Sequence, residues 1–217
     1  RPGVRMNGKQ IRALGLAGAL VGWSFTAGID RPWRRHPVAQ AALGTALAVA
    51  ARAPLDLRPP AVRSGLRLGS AVALAVGVGV ALTTGLPQVR AAMGDRELPQ
   101  RPGHWLGVEI PLGTVWSEET AFRGALATVA VEAFGPIGGR LVQAAAFGLT
   151  HVPDALETGE PVVPTVLATG VAGWIFALLG ERSGSLLAPM LAHLAINEAG
   201  AVAALAVQRL RGSGGDG

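Results

Sequence analysis

Leu68-Gly-Ser-Ala-Val-Ala-Leu-Ala-Val-Gly-Val-Gly-Val-Ala-Leu-Thr-Thr-Gly-Leu86 carries no charge from end to end. About 20 apolar residues in a helix cross the roughly 30 Å hydrocarbon layer of a bilayer, so this stretch reads as a membrane span. Pro87 closes it. The same texture recurs to either side. Upstream, Leu14–Ile29 is stopped by Asp30-Arg31-Pro32, and Val38–Ala51 is closed by Arg52 and Pro54. Downstream, a polar connection over Gln88–Gly103 carries Arg90, Asp95, Arg96, Glu97 and Arg101. Then come Trp105–Phe134 with Gly135-Pro136 as its stop, Arg140–Val152 ending at Pro153, Val162–Leu179, and Leu186–Val207 after a Gly180–Gly184 turn. The expected fold is all-α, a polytopic transmembrane bundle of about seven to eight helices, the eighth arising if Trp105–Phe134 is broken.

Composition supports that reading. Half of the 217 residues are hydrophobic, 15% are charged, and the mean hydropathy is +0.40. Soluble domains carry about 25% charged residues. Without cysteine, disulfides, thiolate catalysis and thiolate metal sites are excluded. The pI near 11.3 does not point to nucleic acid. Its Arg residues stand in short clusters between apolar runs, at Arg31, Arg34 and Arg35 and at Arg58, Arg63 and Arg67, which suits anchoring to anionic headgroups. Arg in place of Lys, with abundant Ala, Gly and Val, suggests a GC-rich bacterial genome and hence a bacterial cytoplasmic membrane. The basic residues lean only slightly toward a cytoplasmic N-terminus. Nothing near the N-terminus resembles a cleaved signal, and the run from Leu14 reads as a first membrane helix. Glycines in the apolar runs (Gly15, Gly18 and Gly22; Gly77 and Gly79) suit close helix packing in lipid.

The second half of the chain differs because its helices carry polar residues. Three patterns stand out: Glu118-Glu119-x-x-x-Arg123, Phe147-x-x-x-His151 and His193-x-x-x-Asn197. An ionisable group in a span is expensive unless it is paired or does chemistry. Residues four apart on a helix share a face, and Glu119 precedes Arg123 in the favoured order, so the two neutralise each other. Glu118 points about 100° away and lacks that partner. Glu119 is therefore the structural acid and Glu118 the one left for chemistry, unless all three charges lie at a wet membrane surface. A lone His151 at a helix end is more often a cap than a catalyst. His193 and Asn197 share one helix face, where interhelical glue and function are both open. Thr150 and Gln143 are candidate hydrogen-bonding supports. Trp105 and Trp116 read as interfacial belt residues, His36 and His104 as interfacial, and Asp154–Glu160 as a solvated connection.

Each pattern is degenerate alone, but their order on successive hydrophobic helices is specific. Through Glu118-Glu119-Thr-Ala-Phe-Arg123, Phe147-Gly-Leu-Thr-His151 and His193-Leu-Ala-Ile-Asn197 the chain resembles the CPBP intramembrane proteases, which include the type II CAAX prenyl endopeptidases and the bacteriocin-processing Abi proteins. The resemblance covers roughly residues 104–207. It divides the chain into variable N-terminal helices over 1–103 and a catalytic helix core over 104–210, while the Gly-rich composition of 211–217 reads as a disordered tail.

The resemblance implies an endopeptidase in which Glu118 and His151 activate a water against a peptide carbonyl. His193 and Asn197 then stabilise the oxyanion, and Arg123 pairs with Glu119. The implied partners are membrane lipid and a peptide or membrane-protein substrate. The His-Glu-x-x-His pattern of zinc proteases is absent, so no cofactor is expected; a zinc ion, if present, would take Glu118, His151 and His193. Two other functions compete. A transporter or proton relay would need a polar path across the bilayer, which the N-terminal helices barely offer. A non-catalytic scaffold or self-immunity protein would be expected to lose motif residues, and this chain keeps all of them. The identity of the substrate is not legible.

Overall fold

The computed structural model describes residues 6–26, 33 and 36–213. Helix α1, Gly8–Phe25, starts where Asn7 and Gln10 cap each other reciprocally, each side chain taking the other's backbone N–H at 3.0 Å. It begins earlier than the apolar run at Leu14 suggests. The end of that run and the Arg31, Arg34 and Arg35 cluster lie outside the described residues. Helix α2, Pro37–Ala50, opens on a proline, whose missing N–H costs nothing at a first turn. A connection follows with Arg52 and Asp56 in left-handed conformations. It is stitched to the bundle by Leu186 N–H to Leu55 O at 3.1 Å and Ser185 Oγ to Asp56 O at 2.8 Å.

Helix α3, Ala61–Thr83, contains most of the uncharged span and lies along the last helix. The close approach runs through Gly65 and Gly69: a Cβ on either would meet Ser185 or Leu191 at 2.9 Å. By contrast Gly15, Gly18, Gly22, Gly77 and Gly79 have nothing within 4 Å of such a Cβ, so the glycines expected to pack face outward. The short helix α4, Pro87–Asp95, is tied to the last helix by Gln208 Nε2 to Arg96 O at 2.7 Å and by Arg211 with Asp95 at 2.9 Å.

Helix α5 comprises Pro102–His104, Trp105–Trp116 and Glu119–Leu126 and continues without a loop into α6, Ala127–Leu149. Much of α5 is wound as the wider π-helix, a form concentrated at functional sites. Pro111 lies inside it, where an α-helix would suffer a clash and a missing donor. The break expected at Gly135-Pro136 is there, with Gly135 at φ 74°, ψ 176°. The next arm resumes at once rather than at Arg140, and Gly139 presses so closely on Val131 that a Cβ would come within 2.5 Å of its amide.

The expected acidic loop is partly a helix: α7, Val152–Thr158, ends on left-handed Gly159. Helix α8, Val162–Ser183, ends the same way on Gly184, and α9, Leu187–Ser213, closes the described chain. The first residues of the expected tail are thus helical; the rest of it lies outside the described residues.

No strand occurs among the described residues. Among the described residues, four helical stretches are long and apolar enough to cross a membrane: Ala61–Thr83, Pro102–Thr158, Val162–Ser183 and Leu187–Gly212. Large apolar side chains stand exposed along their outer faces, among them Leu74 and Leu82 on α3 and Val163, Leu167 and Val171 on α8. In water such faces would be a liability, whereas in lipid they are the solvent-facing side. The protein is an integral membrane helix bundle. Its core gathers Phe122, Leu126, Val129, Phe147, Phe176 and Leu179 around the polar residues of α5, α6 and α9.

Candidate active site

Glu119 is fully buried and Arg123 nearly so, and the two form a bidentate pair with Nε to Oε2 at 2.6 Å and Nη2 to Oε1. A buried ion pair must recover a large desolvation penalty, and it does so only with additional partners. Aromatic partners supply part of that recovery, while Arg123 Nη1 is buried without a hydrogen-bond partner. The guanidinium lies over the ring of Phe147 at 4.2 Å and that of Phe176 at 5.1 Å, with Phe122 at 5.9 Å. Three aromatic faces thus surround one cation in a dry setting, where such contacts are strongest.

The third partner of Glu119 comes from the far end of the chain. His193, buried on α9, places Nδ1 2.7 Å from Glu119 Oε1 and stacks on Phe176 at 5.0 Å between centroids. Its other nitrogen, Nε2, is 3.8 Å from Glu118 Oε2. One imidazole therefore stands between both acids of the pair. Asn197 lies a turn further along α9, where its Nδ2 donates to the His193 carbonyl at 3.1 Å.

Glu118 occupies a different environment from its neighbour. Its Oε2 is buried yet has no hydrogen-bond partner. The side chain lines a cavity of about 220 Å³, large against the roughly 10–15 Å³ that one water requires. His151 lines the same cavity with Ser117, Thr150 and Asp154. Its ring is fixed by Nδ1 on the Phe147 carbonyl at 2.8 Å, and Thr150 Oγ1 lies 3.4 Å from that nitrogen. With Nδ1 spent on the end of α6, Nε2 is the nitrogen left for chemistry. Neither His193 nor Asn197 is part of the cavity wall.

The other wall comes from the N-terminal helices: Leu20, Trp23 and Ser24 of α1, and Gln40, Leu43, Gly44 and Leu47 of α2. At Gly44, α2 nearly touches α5, since a Cβ there would meet Thr120 Oγ1 at 2.4 Å and the Ser117 carbonyl at 2.6 Å. Trp116, expected at the membrane interface, instead packs half-buried with its indole N–H on Thr45 Oγ1 of α2 at 2.9 Å. Gln143 gives its amide N–H to the Gly173 carbonyl at 2.9 Å, tying α6 to α8 rather than supporting the site. His104 pairs with exposed Glu109 at 2.9 Å.

Sequence reasoning passed over several of these residues. Phe122 and Phe176 look like any aromatic in an apolar run, and nothing local marks them as a cage. Gly44 carries no signal either. Asp154 did carry one, three residues after His151 on the same short segment. For metal, no group of three His, Cys, Asp or Glu side chains among the described residues is arranged to hold an ion. Glu118, His151 and His193 form no such group among the described residues.

No curated protein and no solved structure matches the chain. Residues 101–199 match the family described as type II CAAX prenyl endopeptidase Rce1-like. That stretch runs from the start of α5 into α9 and holds Glu118, Glu119, Arg123, His151, His193 and Asn197. Through that stretch, a little under half of the chain, the protein is similar to the Rce1-like type II CAAX prenyl endopeptidases, a family of membrane proteases.

Proposed function

We propose that the protein is an intramembrane endopeptidase that hydrolyses a peptide bond with water activated by Glu118 and His151, without a resident metal. The observation that carries this reading is the contrast within the Glu pair. Glu119 is saturated by Arg123 and His193, while Glu118 Oε2 is buried, unpartnered and beside a cavity it shares with His151. A carboxylate so placed is a base with a lone pair to spare.

In the proposed reaction Glu118 takes one proton from a water that His151 Nε2 helps to hold, and the water oxygen bonds to the carbonyl carbon. The carbonyl π electrons move to oxygen. In this reading His193 and Asn197 donate to that oxygen. The 3.8 Å between His193 Nε2 and Glu118 Oε2 is too long for a hydrogen bond, yet short enough for both to touch one reacting centre. To donate, Nε2 must carry hydrogen while Nδ1 binds Glu119, so Glu119 and Arg123 serve to fix the orientation of that ring. Asn197 would have to turn its amide from the His193 carbonyl. The C–N bond then breaks, and the proton held by Glu118 passes to the leaving amine, completing hydrolysis.

The test compares membrane-associated peptides of cells making the unaltered protein with those of cells making Glu118→Gln at equal abundance. The proposal expects peptides with new termini only with the former. Identical peptide patterns would overturn it.

A further inference from the structure

Asp154 lines the same cavity as Glu118 and His151, on the first turn of α7 and three residues beyond the imidazole. Three carboxylates of the second half are paired, Glu119 with Arg123, Glu132 with Lys9 at 2.9 Å and Glu181 with Arg140, whereas Glu157, Glu160 and Glu198 make no ion pair among the described residues and do not line the cavity. Asp154 makes no ion pair and its side chain accepts no hydrogen bond among the described residues, although it lies within the field of His151. It is held in place by backbone, since α7 is pinned between the turn at Thr150 and left-handed Gly159. Asp154 is exposed at the edge of the cavity, and an unpaired carboxylate there, beside a partly apolar lining, attracts a cation. A second carboxylate, Glu118, lies on the same wall. His151 is pledged to the Phe147 carbonyl at one nitrogen and, in the reading above, to the reacting water at the other.

We infer that Asp154 is a specificity-determining residue, selecting substrates that carry a basic side chain, Lys or Arg, close to the bond that is cut. This rests on the endopeptidase reading and adds to it the charge of the substrate. The apolar side of the cavity, from Leu20, Trp23, Leu43 and Leu47, takes the flanking apolar residues, as a chain drawn from a membrane would present. The short carboxylate then sets the position of the cationic residue relative to Glu118. An acidic residue at that position meets two like charges and is rejected.

The experiment uses the full-length protein in lipid vesicles and a membrane-anchored peptide library, randomised over eight positions, with products read by mass spectrometry. For the unaltered protein, one position near the cut is enriched at least about tenfold in Lys and Arg over Asp and Glu. Asp154→Asn flattens that preference, and Asp154→Lys inverts it at the same position and no other. Cleavage with no charge preference anywhere, or a preference that survives both substitutions, overturns the inference while leaving the endopeptidase reading intact. A library untouched by the unaltered protein removes both.

Discussion

Two adjacent glutamates with opposite fates are the centre of the account at the scale of single residues. Glu119 holds Arg123 in a three-ring cage and fixes His193, so its loss leaves a buried guanidinium without its counter-charge. Breaking one side of such a pair costs about 3–5 kcal/mol. Glu119→Gln is therefore expected to lower the midpoint of denaturant unfolding in detergent and to abolish activity by unfolding. Glu118→Gln keeps the shape of a side chain whose Oε2 makes no hydrogen bond, exchanging one oxygen for an amide nitrogen, so the same titration should find it as stable as the unaltered protein. Its cleavage rate should fall about 10²- to 10⁴-fold, the usual contribution of a general base. Arg123→Lys is not expected to restore stability, because an ammonium cannot present two parallel donors or stack on Phe147. The Glu119–Arg123 pair was legible because it is local, four positions apart on one helix. The contact of His193 with Glu119 was not, since it joins residues 74 positions apart that only the fold brings together.

Between helices, the decisive contact is α2 against α5. Gly44 leaves no room for a side chain against Ser117 and Thr120, and it also forms part of the cavity wall. Gly44→Val should push α2 off α5, lowering the thermal midpoint and the cleavage rate together. Gly77→Ala, facing open space on α3, should leave activity untouched and hold or slightly raise stability, since alanine is the better helix former by about 1 kcal/mol. A thermal melt of both variants distinguishes a packing glycine from a tolerated one. Sequence could not make that distinction, because glycines on lipid-facing and helix-facing surfaces look alike in an apolar run. Helix stops were easier to read, as at Gly135-Pro136 and Gly184, because a left-handed residue or a proline ends a helix for local reasons. The winding of α5 was not legible, and neither was α7, whose seven residues carry too weak a period to stand out from a loop.

For the whole molecule, the family match begins at residue 101, yet the cavity is walled on one side by α1 and α2. The helices that sequence gives no motif for are thus the ones that shape access to Glu118. The bundle as a whole was legible from charge depletion and span length, since lipid forces all backbone groups into helices. The cavity itself was not, because it is made by four separate segments meeting. Activity in vesicles is expected to survive exhaustive treatment with metal chelators, and elemental analysis should find no stoichiometric zinc; loss of activity that zinc alone restores would contradict the metal-free mechanism. The most direct test of the central claim is cleavage by the purified protein in lipid vesicles, with Glu118→Gln alongside it at equal amount and equal unfolding midpoint. The account predicts matched new amino and carboxyl termini from the unaltered protein and none above background from Glu118→Gln. The same products at the same rate from both would contradict it.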